Sequence, residues 1–186
     1  MLGRFTAASI MLLLVACGAT GTLQPPAIDP GALPSPSSFA MVGRQDLLDE
    51  AVDPDSVAAA LDAAGFLTGA ERIARDRAAR VRETSVRVLR FASDGGARAW
   101  VDYVRADPVD VLGAVSAAGT SGDAAIYRHL PDGCCPGKDL PSWTALAVSG
   151  AAVTIVTVRG PDVTQDDLAV AMAAAGLTSG SPGSGP

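Results

Sequence analysis

The segment HLPDGCCPGK, from His129 to Lys138, concentrates the reactive side chains of this protein. It contains two adjacent cysteines, Cys134 and Cys135, together with the only histidine and the only lysine of the chain. Imidazole and thiolate groups are ligands for soft and borderline metal ions, and thiols also exchange with disulfides. The segment is therefore the first candidate for chemistry, and its interpretation depends on the redox compartment in which the chain resides.

Three interpretations of the cysteine pair remain open. The first is a vicinal disulfide between Cys134 and Cys135 that rigidifies the loop 131–141. Such a bond closes a strained ring, because neighbouring Cα atoms lie about 3.8 Å apart whereas disulfides prefer roughly 4.4–6.8 Å. The second is a pair of free thiols, or bonds to a partner chain. The third is a metal or thiol-redox site formed by His129, Cys134 and Cys135, although adjacent cysteines lack the usual two-residue spacing.

The N-terminus indicates the compartment. Arg4 is the only charged residue among the first sixteen, and an apolar run of eleven residues extends from Phe5 to Val15. A membrane-spanning helix needs roughly 20 apolar residues. Because the run is shorter than that and follows a positive charge, it is typical of the core of a signal peptide. We therefore predict a signal peptide over residues 1–16.

The end of this run, Leu14-Val15-Ala16-Cys17, resembles the lipobox of bacterial lipoproteins. The resemblance implies that a diacylglycerol is attached to the sulfur of Cys17 and that cleavage makes Cys17 the first residue. It also implies a location at the cell membrane, lipid-anchored on the extracytoplasmic face, with no cofactor expected beyond the covalent lipid. The alternative is an ordinary secretory signal with Cys17 as a bystander. Because thiols tend to oxidise outside the cytoplasm, this location favours the vicinal disulfide over free thiols.

Composition divides the rest of the chain into a linker, one domain and a tail. Residues 17–43 contain five prolines among glycines and serines, which predicts a lipidated N-terminus followed by a flexible linker. Residues 179–186, SGSPGSGP, predict a disordered tail. The stretch 44–178 has the size of a single domain. Aromatic residues are only 4% of the chain, so its core must depend on aliphatic side chains, with Trp100 and Trp143 as the largest members.

Periodicity and end signals predict the order helix, strand, helix, strand, hairpin, helix. The helices are expected at 53–65, 97–104 and 164–175, and the strands at 84–92, 123–130, 144–148 and 153–159. Residues 69–83 are compatible with a helix, a strand or both. Consecutive strands late in the chain argue against a regular βαβ pattern. The predicted fold is α+β, with an antiparallel sheet of about four or five strands and helices mainly on one face.

This element order and the phrase VRVLRFASDGGARAWVDYV resemble the small extracytoplasmic α+β domains of actinobacterial lipoproteins and of receptor-kinase sensor regions. The resemblance includes no catalytic motif, and it implies no functional residue.

Charge is unevenly distributed along the chain. Residues 71–90 contain seven arginines and three acidic residues, a local charge of +4 in a chain of net charge −6. This predicts a surface for anionic lipid headgroups or an acidic envelope protein, formed by Arg72, Arg75, Arg77, Arg80 and Arg82. The alternative is a solvated face with local ion pairs. The acidic chain and its expected location argue against nucleic acid as a partner.

These observations favour a binding domain over an enzyme. The sequence has no G-x-S-x-G motif of a serine hydrolase, and any histidine-based catalysis must use His129. We therefore expect a lipid-anchored extracytoplasmic binding or interaction domain that is not catalytic. The alternative is a small metal-binding or thiol-redox protein that uses His129, Cys134 and Cys135.

Overall fold

The computed structural model describes residues 28–29, 31, 33–131 and 139–177, in which the chain forms seven strands and five helices. The strands are β1 (Ser37–Val42), β2 (Phe66–Arg75), β3 (Glu83–Phe91), β4 (Ser116–Ser121), β5 (Ala124–His129), β6 (Ser142–Ser149) and β7 (Ala152–Arg159). The helices are α1 (Arg44–Glu50), α2 (Pro54–Ala64), α3 (Asp94–Ala106), α4 (Val109–Leu112) and α5 (Gln165–Ala174). The predicted signal peptide, the predicted tail at 179–186, and Cys17, Cys134 and Cys135 lie outside the described residues.

All seven strands belong to one sheet in the order β1-β2-β3-β7-β6-β5-β4, and every neighbouring pair is antiparallel. The predicted α+β class with an antiparallel sheet is therefore confirmed. The predicted count of four or five strands is wrong: the structure has β1 and β4 in addition, and β2 occupies part of residues 69–83, for which the sequence allows a helix, a strand or both. Both missed strands are edge strands with largely exposed side chains, so they lack the buried apolar alternation by which strands are recognised.

The sheet begins inside the stretch predicted to be a linker. Strand β1 pairs with β2 from Ser37 opposite Ala74 to Val42 opposite Gly69. Upstream of it, Ile28 and Leu33 are buried. The predicted domain start at residue 44 is thus corrected to an earlier position. The last proline of the predicted linker, Pro36, comes directly before β1. The composition of residues 17–43 as a whole therefore does not reveal that a strand begins within them.

Helix ends follow the predicted signals. The Asp53 side chain accepts hydrogen bonds from the backbone amides of Asp55 and Ser56 at the start of α2, and Gly65 ends that helix in the left-handed conformation, with φ of 69°. At the start of α5 the hydroxyl of Thr164 and the carboxylate of Asp167 form a reciprocal capping box. These local contacts set where α2 and α5 begin.

Hydrophobic cores lie on both faces of the sheet. Helices α1 to α4 contribute to the first core, whose largest fully buried side chain is Trp100. Helix α5, Ile28 and Leu33 contribute to the second core, on the opposite face. The prediction of helices mainly on one face therefore holds for four of the five helices. Trp143 is only partly buried, and the Arg128 guanidinium lies 5.2 Å from the centre of its ring.

Within the described part of the chain, we find no helix with the length and apolar character needed to cross a membrane.

Candidate functional site

The register of the sheet arranges side chains in rows across the face that carries α1 to α4. Strands β2, β3, β7, β6 and β5 contribute one residue each to every row. The outer row is Arg75, Glu83, Arg159, Ser142 and His129; the middle row is Ile73, Ser85, Thr157, Thr144 and Tyr127; the inner row is Glu71, Arg87, Ile155, Leu146 and Ala125. Toward the helices the rows change from mainly polar to mainly apolar. A helix packed on the outer, polar rows would bury few apolar side chains, so the hydrophobic core does not extend over them.

The uncovered rows form the floor of a groove. Helix α1 supplies Leu47 and Glu50 to its lining, and α4 supplies Val111 and Leu112. The groove has a volume of about 310 Å³. Binding sites for small molecules begin at roughly 300 Å³. The groove therefore has room for one small ligand above a floor made mostly of polar side chains.

Arg87 joins the floor of the groove to its wall. Its guanidinium donates two hydrogen bonds to the Glu50 carboxylate, at 2.6 and 3.0 Å, and one to Glu71 Oε1 at 3.3 Å. Burial alone would lower the pKa of Arg87, but the hydrogen bonds and charges of the two glutamates outweigh burial and raise it. Arg87 thus stays charged in a site where its side chain is 16% exposed, and it holds α1 against the sheet.

Hydroxyl groups occupy the centre of the floor. Thr144 Oγ1 and Thr157 Oγ1 lie 3.1 Å apart, and either hydroxyl can be the donor of this hydrogen bond. Ser85 and Ser142 line the groove beside them. Because a hydroxyl both donates and accepts, this group of side chains can pair with the hydroxyl, amide or carboxyl groups of a polar ligand.

The outer end of the groove carries a cation, Arg159, that has no acidic partner among the described residues. Arg75 Nε donates a hydrogen bond to Glu83 Oε2 at 2.7 Å. Glu83, the acidic residue of the outer row, therefore already has a cationic partner. Arg159 stands opposite both Glu83 and Ser142 in the sheet. Among the described residues, none forms an ion pair with Arg159.

His129 uses both of its ring nitrogens in hydrogen bonds at the end of the outer row. Nδ1 lies 2.5 Å from the backbone oxygen of Ala114, and Nε2 lies 2.7 Å from Asp139 Oδ1. Burial lowers the pKa of His129, but the hydrogen bonds to Ala114 and Asp139 and the charge of Asp139 outweigh burial and raise it. Two acceptors therefore favour the doubly protonated ring. A metal ion bound by His129 would have to displace one of these two acceptors.

The metal interpretation also needs ligands beyond the part of the chain that is described. In residues 28–29, 31, 33–131 and 139–177, no three histidine, cysteine, aspartate or glutamate side chains are arranged to hold an ion. Cys134 and Cys135 are not among those residues, so their pairing stays a prediction. His129 is the one member of this predicted site that the structure describes, and it lies at the edge of the groove.

The five arginines of the predicted anionic-partner surface do not share one face. Arg72 Nη1 donates to Ser37 Oγ at 3.3 Å, and its guanidinium lies over the Phe39 ring. Arg75 is three positions along the same strand and therefore lies on the opposite face.

Arg80 instead pairs with Asp167 and donates to the backbone oxygen of Asp162. Of the five, Arg72, Arg77 and Arg82 lack an ion pair with a described residue. The local charge of +4 counted along the chain is thus reduced by partners that are distant in sequence.

Removing the Arg80 partner of Asp167 is expected to lower the stability of the fold at neutral pH, so that acid unfolds it at a higher pH. The hydrogen bond from Arg80 is the main cause that lowers the pKa of Asp167 from 3.8 to about 2. A carboxyl group with a lowered pKa stabilises the fold above its unfolded pKa, and this stabilisation is lost as the pH falls from 3.8 to about 2. In Arg80→Gln, acid unfolding followed by circular dichroism should therefore begin at a higher pH.

Arg77→Gln is the matched control for this measurement, because it removes the same charge from the same turn without breaking an ion pair with a described residue. Identical acid transitions in the two variants would show that the Arg80–Asp167 pair does not set the acid stability.

The important residues of the groove were not identified from the sequence. Arg87 and Arg159 carried no motif, and Ser142, Thr144 and Thr157 belong to predicted strands or their flanks. One signal was present: polar residues recur at alternate positions toward the same end of β3, β6 and β7. Such alternation identifies a polar side of one strand, but only the register shows that these polar sides are adjacent.

Fold and groove together define a small α+β domain with a polar groove on its sheet. No family model matches the chain, and no curated protein matches it either. A comparison with solved structures finds a similarity to the extracellular domain of PknH from Mycobacterium tuberculosis. The TM-score is 0.42 and the identity 11%, over 75% of this chain and 76% of that one. A similarity this low carries no functional conclusion for the groove.

Proposed function

We propose that this protein is a lipid-anchored, extracytoplasmic domain that binds a small polar ligand in the groove without transforming it. The observation that carries this proposal is the group of hydroxyl side chains that lines the groove between the wall of α1 and α4 and the open edge of the sheet. Around Trp100, the same face of the sheet is covered by apolar side chains that stabilise the fold. If the groove region served only stability, we would expect apolar side chains there too. The lipid on Cys17 and the location at the cell membrane belong to the same proposal.

The state of the charged groups in the groove supports binding over catalysis. General acid–base catalysis needs a side chain that can exchange a proton with the substrate. Glu50 and Glu71 are instead held by Arg87, and Glu83 is held by Arg75. The described floor thus offers hydrogen-bond donors and acceptors that are fixed in place, which is what recognition requires.

Removing two floor hydroxyls tests the groove as the binding site. Thr144→Val and Thr157→Val keep the side-chain shape, and each is expected to weaken a polar ligand about five- to tenfold if its hydroxyl contacts that ligand. Small polar compounds would first be screened against the full-length chain by ligand-observed NMR, and dissociation constants of the hits would then be measured. Thr154→Val is the matched control, because Thr154 lies on the opposite side of β7.

A compound that binds the wild type and all three variants with the same affinity binds outside the groove, and this result would contradict the proposal. A screen without hits would also contradict it. Hits weakened by the two groove variants and unaffected by Thr154→Val would support it.

Replacing Cys17 by alanine is expected to leave the protein without lipid and largely outside the membrane fraction. A thiol is needed for attachment of the diacylglycerol, and one signal peptide core of eleven residues is too short to span the bilayer. Fatty-acid labelling and cell fractionation measure both effects. Cys134→Ala is the control, and it should remain labelled and membrane-bound; full membrane association of Cys17→Ala would contradict the anchor.

The second candidate function is metal binding or thiol redox chemistry by His129, Cys134 and Cys135. The position of His129 at the edge of the groove favours it, whereas the hydrogen bonds at both ring nitrogens oppose it. Intact mass spectrometry with and without thiol alkylation separates the interpretations. A mass lower by two hydrogens, with no alkylation before reduction, indicates the vicinal disulfide; two reactive thiols or the mass of a bound metal ion indicate the second function.

A further inference from the structure

We propose that the outer end of the groove binds an anionic group of the ligand, a carboxylate or a phosphate, and that Arg159 is the residue that recognises it. This inference rests on the proposed function, because it assigns a chemical class to the ligand of the same groove. It follows from the distribution of charge along the floor and from the position of Arg159 beside a buried hydroxyl.

The two ends of the groove differ in charge. At the inner end, Arg87 is paired with both Glu50 and Glu71, which leaves one negative charge in excess. At the outer end, Glu83 is paired with Arg75, and the charge of Arg159 is left without an acidic partner among the described residues. An anionic group is therefore attracted to one end of the groove and repelled from the other.

The distance between these ends sets the scale of the ligand. Arg159 lies four residues from Ile155 along β7, and Ile155 stands opposite Arg87. A strand rises about 3.3 Å per residue, so the two charged ends lie roughly 13 Å apart. A ligand that reaches from one end to the other crosses the hydroxyl row of Thr144 and Thr157. We therefore infer a molecule with an acidic group at one end and a neutral or basic polar group at the other.

The surroundings of Arg159 match the recognition of anionic oxygens. Ser142 stands opposite Arg159 in the sheet, is 4% exposed, and lines the groove. Side chains directly opposite one another in antiparallel strands have Cβ atoms about 4.5–5.5 Å apart. A guanidinium donates two parallel hydrogen bonds to a carboxylate or phosphate, and a neighbouring hydroxyl can donate a third.

NMR titration of the full-length chain in a neutral detergent tests this inference. The ¹⁵N-labelled protein would be titrated with inorganic phosphate, with acetate, and with the neutral disaccharide trehalose as a probe of the groove that lacks charge. We expect phosphate or acetate to shift the amides of Glu83, Ser142 and Arg159 and the side-chain Nε–H signal of Arg159. The anion that binds more tightly identifies the acidic group as phosphate or carboxylate.

Three variants make the test specific. Arg159→Gln should raise the dissociation constant for the anion at least tenfold, and Arg159→Lys should retain part of the affinity because it keeps the charge and loses the two-pronged geometry. Arg98→Gln is the matched control: Arg98 is an exposed arginine on α3, lines a separate depression, and has no ion pair with a described residue. Unchanged spectra outside the groove would verify that each variant is folded.

Each outcome has a defined meaning. Equal affinity of wild type and Arg159→Gln, or equal losses in Arg159→Gln and Arg98→Gln, would overturn the inference. Shifts of groove amides by trehalose, together with no response to either anion, would also overturn the inference and leave the proposed function standing. A lack of response to all three probes, up to about 50 mM, combined with a failed ligand screen, would contradict both.

Discussion

Replacing Trp100 by alanine is expected to lower the free energy of unfolding by about 3–5 kcal/mol, the range for large aromatic side chains removed from a core. Trp100 is 0% exposed and is the largest fully buried side chain of the described residues. Its ring lies 6.2 Å from that of Phe91 and stacks at 5.6 Å on that of Tyr103. Urea unfolding of the full-length chain, followed by circular dichroism, measures the loss.

Trp143→Ala is the control for this prediction. Trp143 is partly buried on the other face of the sheet, and the Arg128 guanidinium covers its ring at 5.2 Å. Its removal therefore loses less buried apolar surface and leaves a smaller cavity than the removal of Trp100. Equal losses for the two variants would contradict the assignment of Trp100 as the centre of the first core.

Replacing Arg87 by methionine is expected to cost about 3 kcal/mol. Removal of one partner from a buried ion pair typically costs 3–5 kcal/mol, because the remaining charge has lost its compensation. The side chains of Arg87 and Glu71 are each 16% exposed, whereas that of Glu50 is 52% exposed, which places the expected cost at the lower end. The same urea measurement applies. Arg44→Met is the matched control, because the exposed pair of Arg44 with Asp62 should contribute less than about 1 kcal/mol.

A double variant separates the charge effect from a packing effect. If the cost of Arg87→Met comes from the uncompensated carboxylate of Glu71, then Arg87→Met with Glu71→Gln should recover part of the stability. No recovery would assign the loss to packing. Because Arg87 also holds Glu50 of α1, the single variant should loosen the wall of the groove and weaken any ligand that contacts Leu47.

Local signals in the sequence predicted the parts of the fold that depend on local contacts. Helix α2 begins at an aspartate cap and ends at Gly65 as predicted. The predicted hairpin is formed by β6 and β7, which turn at Gly150-Ala151, one residue beyond the predicted Ser149-Gly150. In these elements the partners are close in sequence, so residue types at fixed offsets are sufficient to identify them.

Features that depend on a contact distant in the sequence were predicted less well. The glycines of Ser93-Asp94-Gly95-Gly96 predicted a turn, but Ser93 caps α3 and the next three residues form its first turn. The reason lies in tertiary packing: a Cβ atom on Gly96 would lie 2.0 Å from the backbone oxygen of Ala64. A glycine required by such a close approach cannot be distinguished in sequence from a glycine required by a turn.

The candidate site shows the same limit. The arginine-rich stretch 71–90 predicted one basic surface, whereas Arg87 and Arg80 have acidic partners on α1, β2 and α5. The groove arginine that has no acidic partner among the described residues, Arg159, lies outside that stretch altogether. Counting charges along the chain identifies which residues are available, but the pairing of strands and helices determines which of them remain unpaired.

The order of the strands has a consequence for how the chain reaches its native state. Strands β4 to β7 form a meander of sequence neighbours, and β1 to β3 pair among themselves. Among the described strands, the two groups pair only through β3 and β7, where Arg90 pairs with Ala152 and Glu83 with Arg159, at separations of 62 and 76 residues. Closing such a long loop costs more conformational entropy than forming a hairpin, so this seam should form late and limit the folding rate.

The groove floor crosses that seam, with Glu83 and Arg87 on one side and Thr157 and Arg159 on the other. A chain with both strand groups folded but not yet joined would therefore have neither the hydroxyl row nor the charge pattern of the complete site. Any ligand of the groove would bind only the fully assembled sheet, and its binding free energy would add directly to the global stability of the protein.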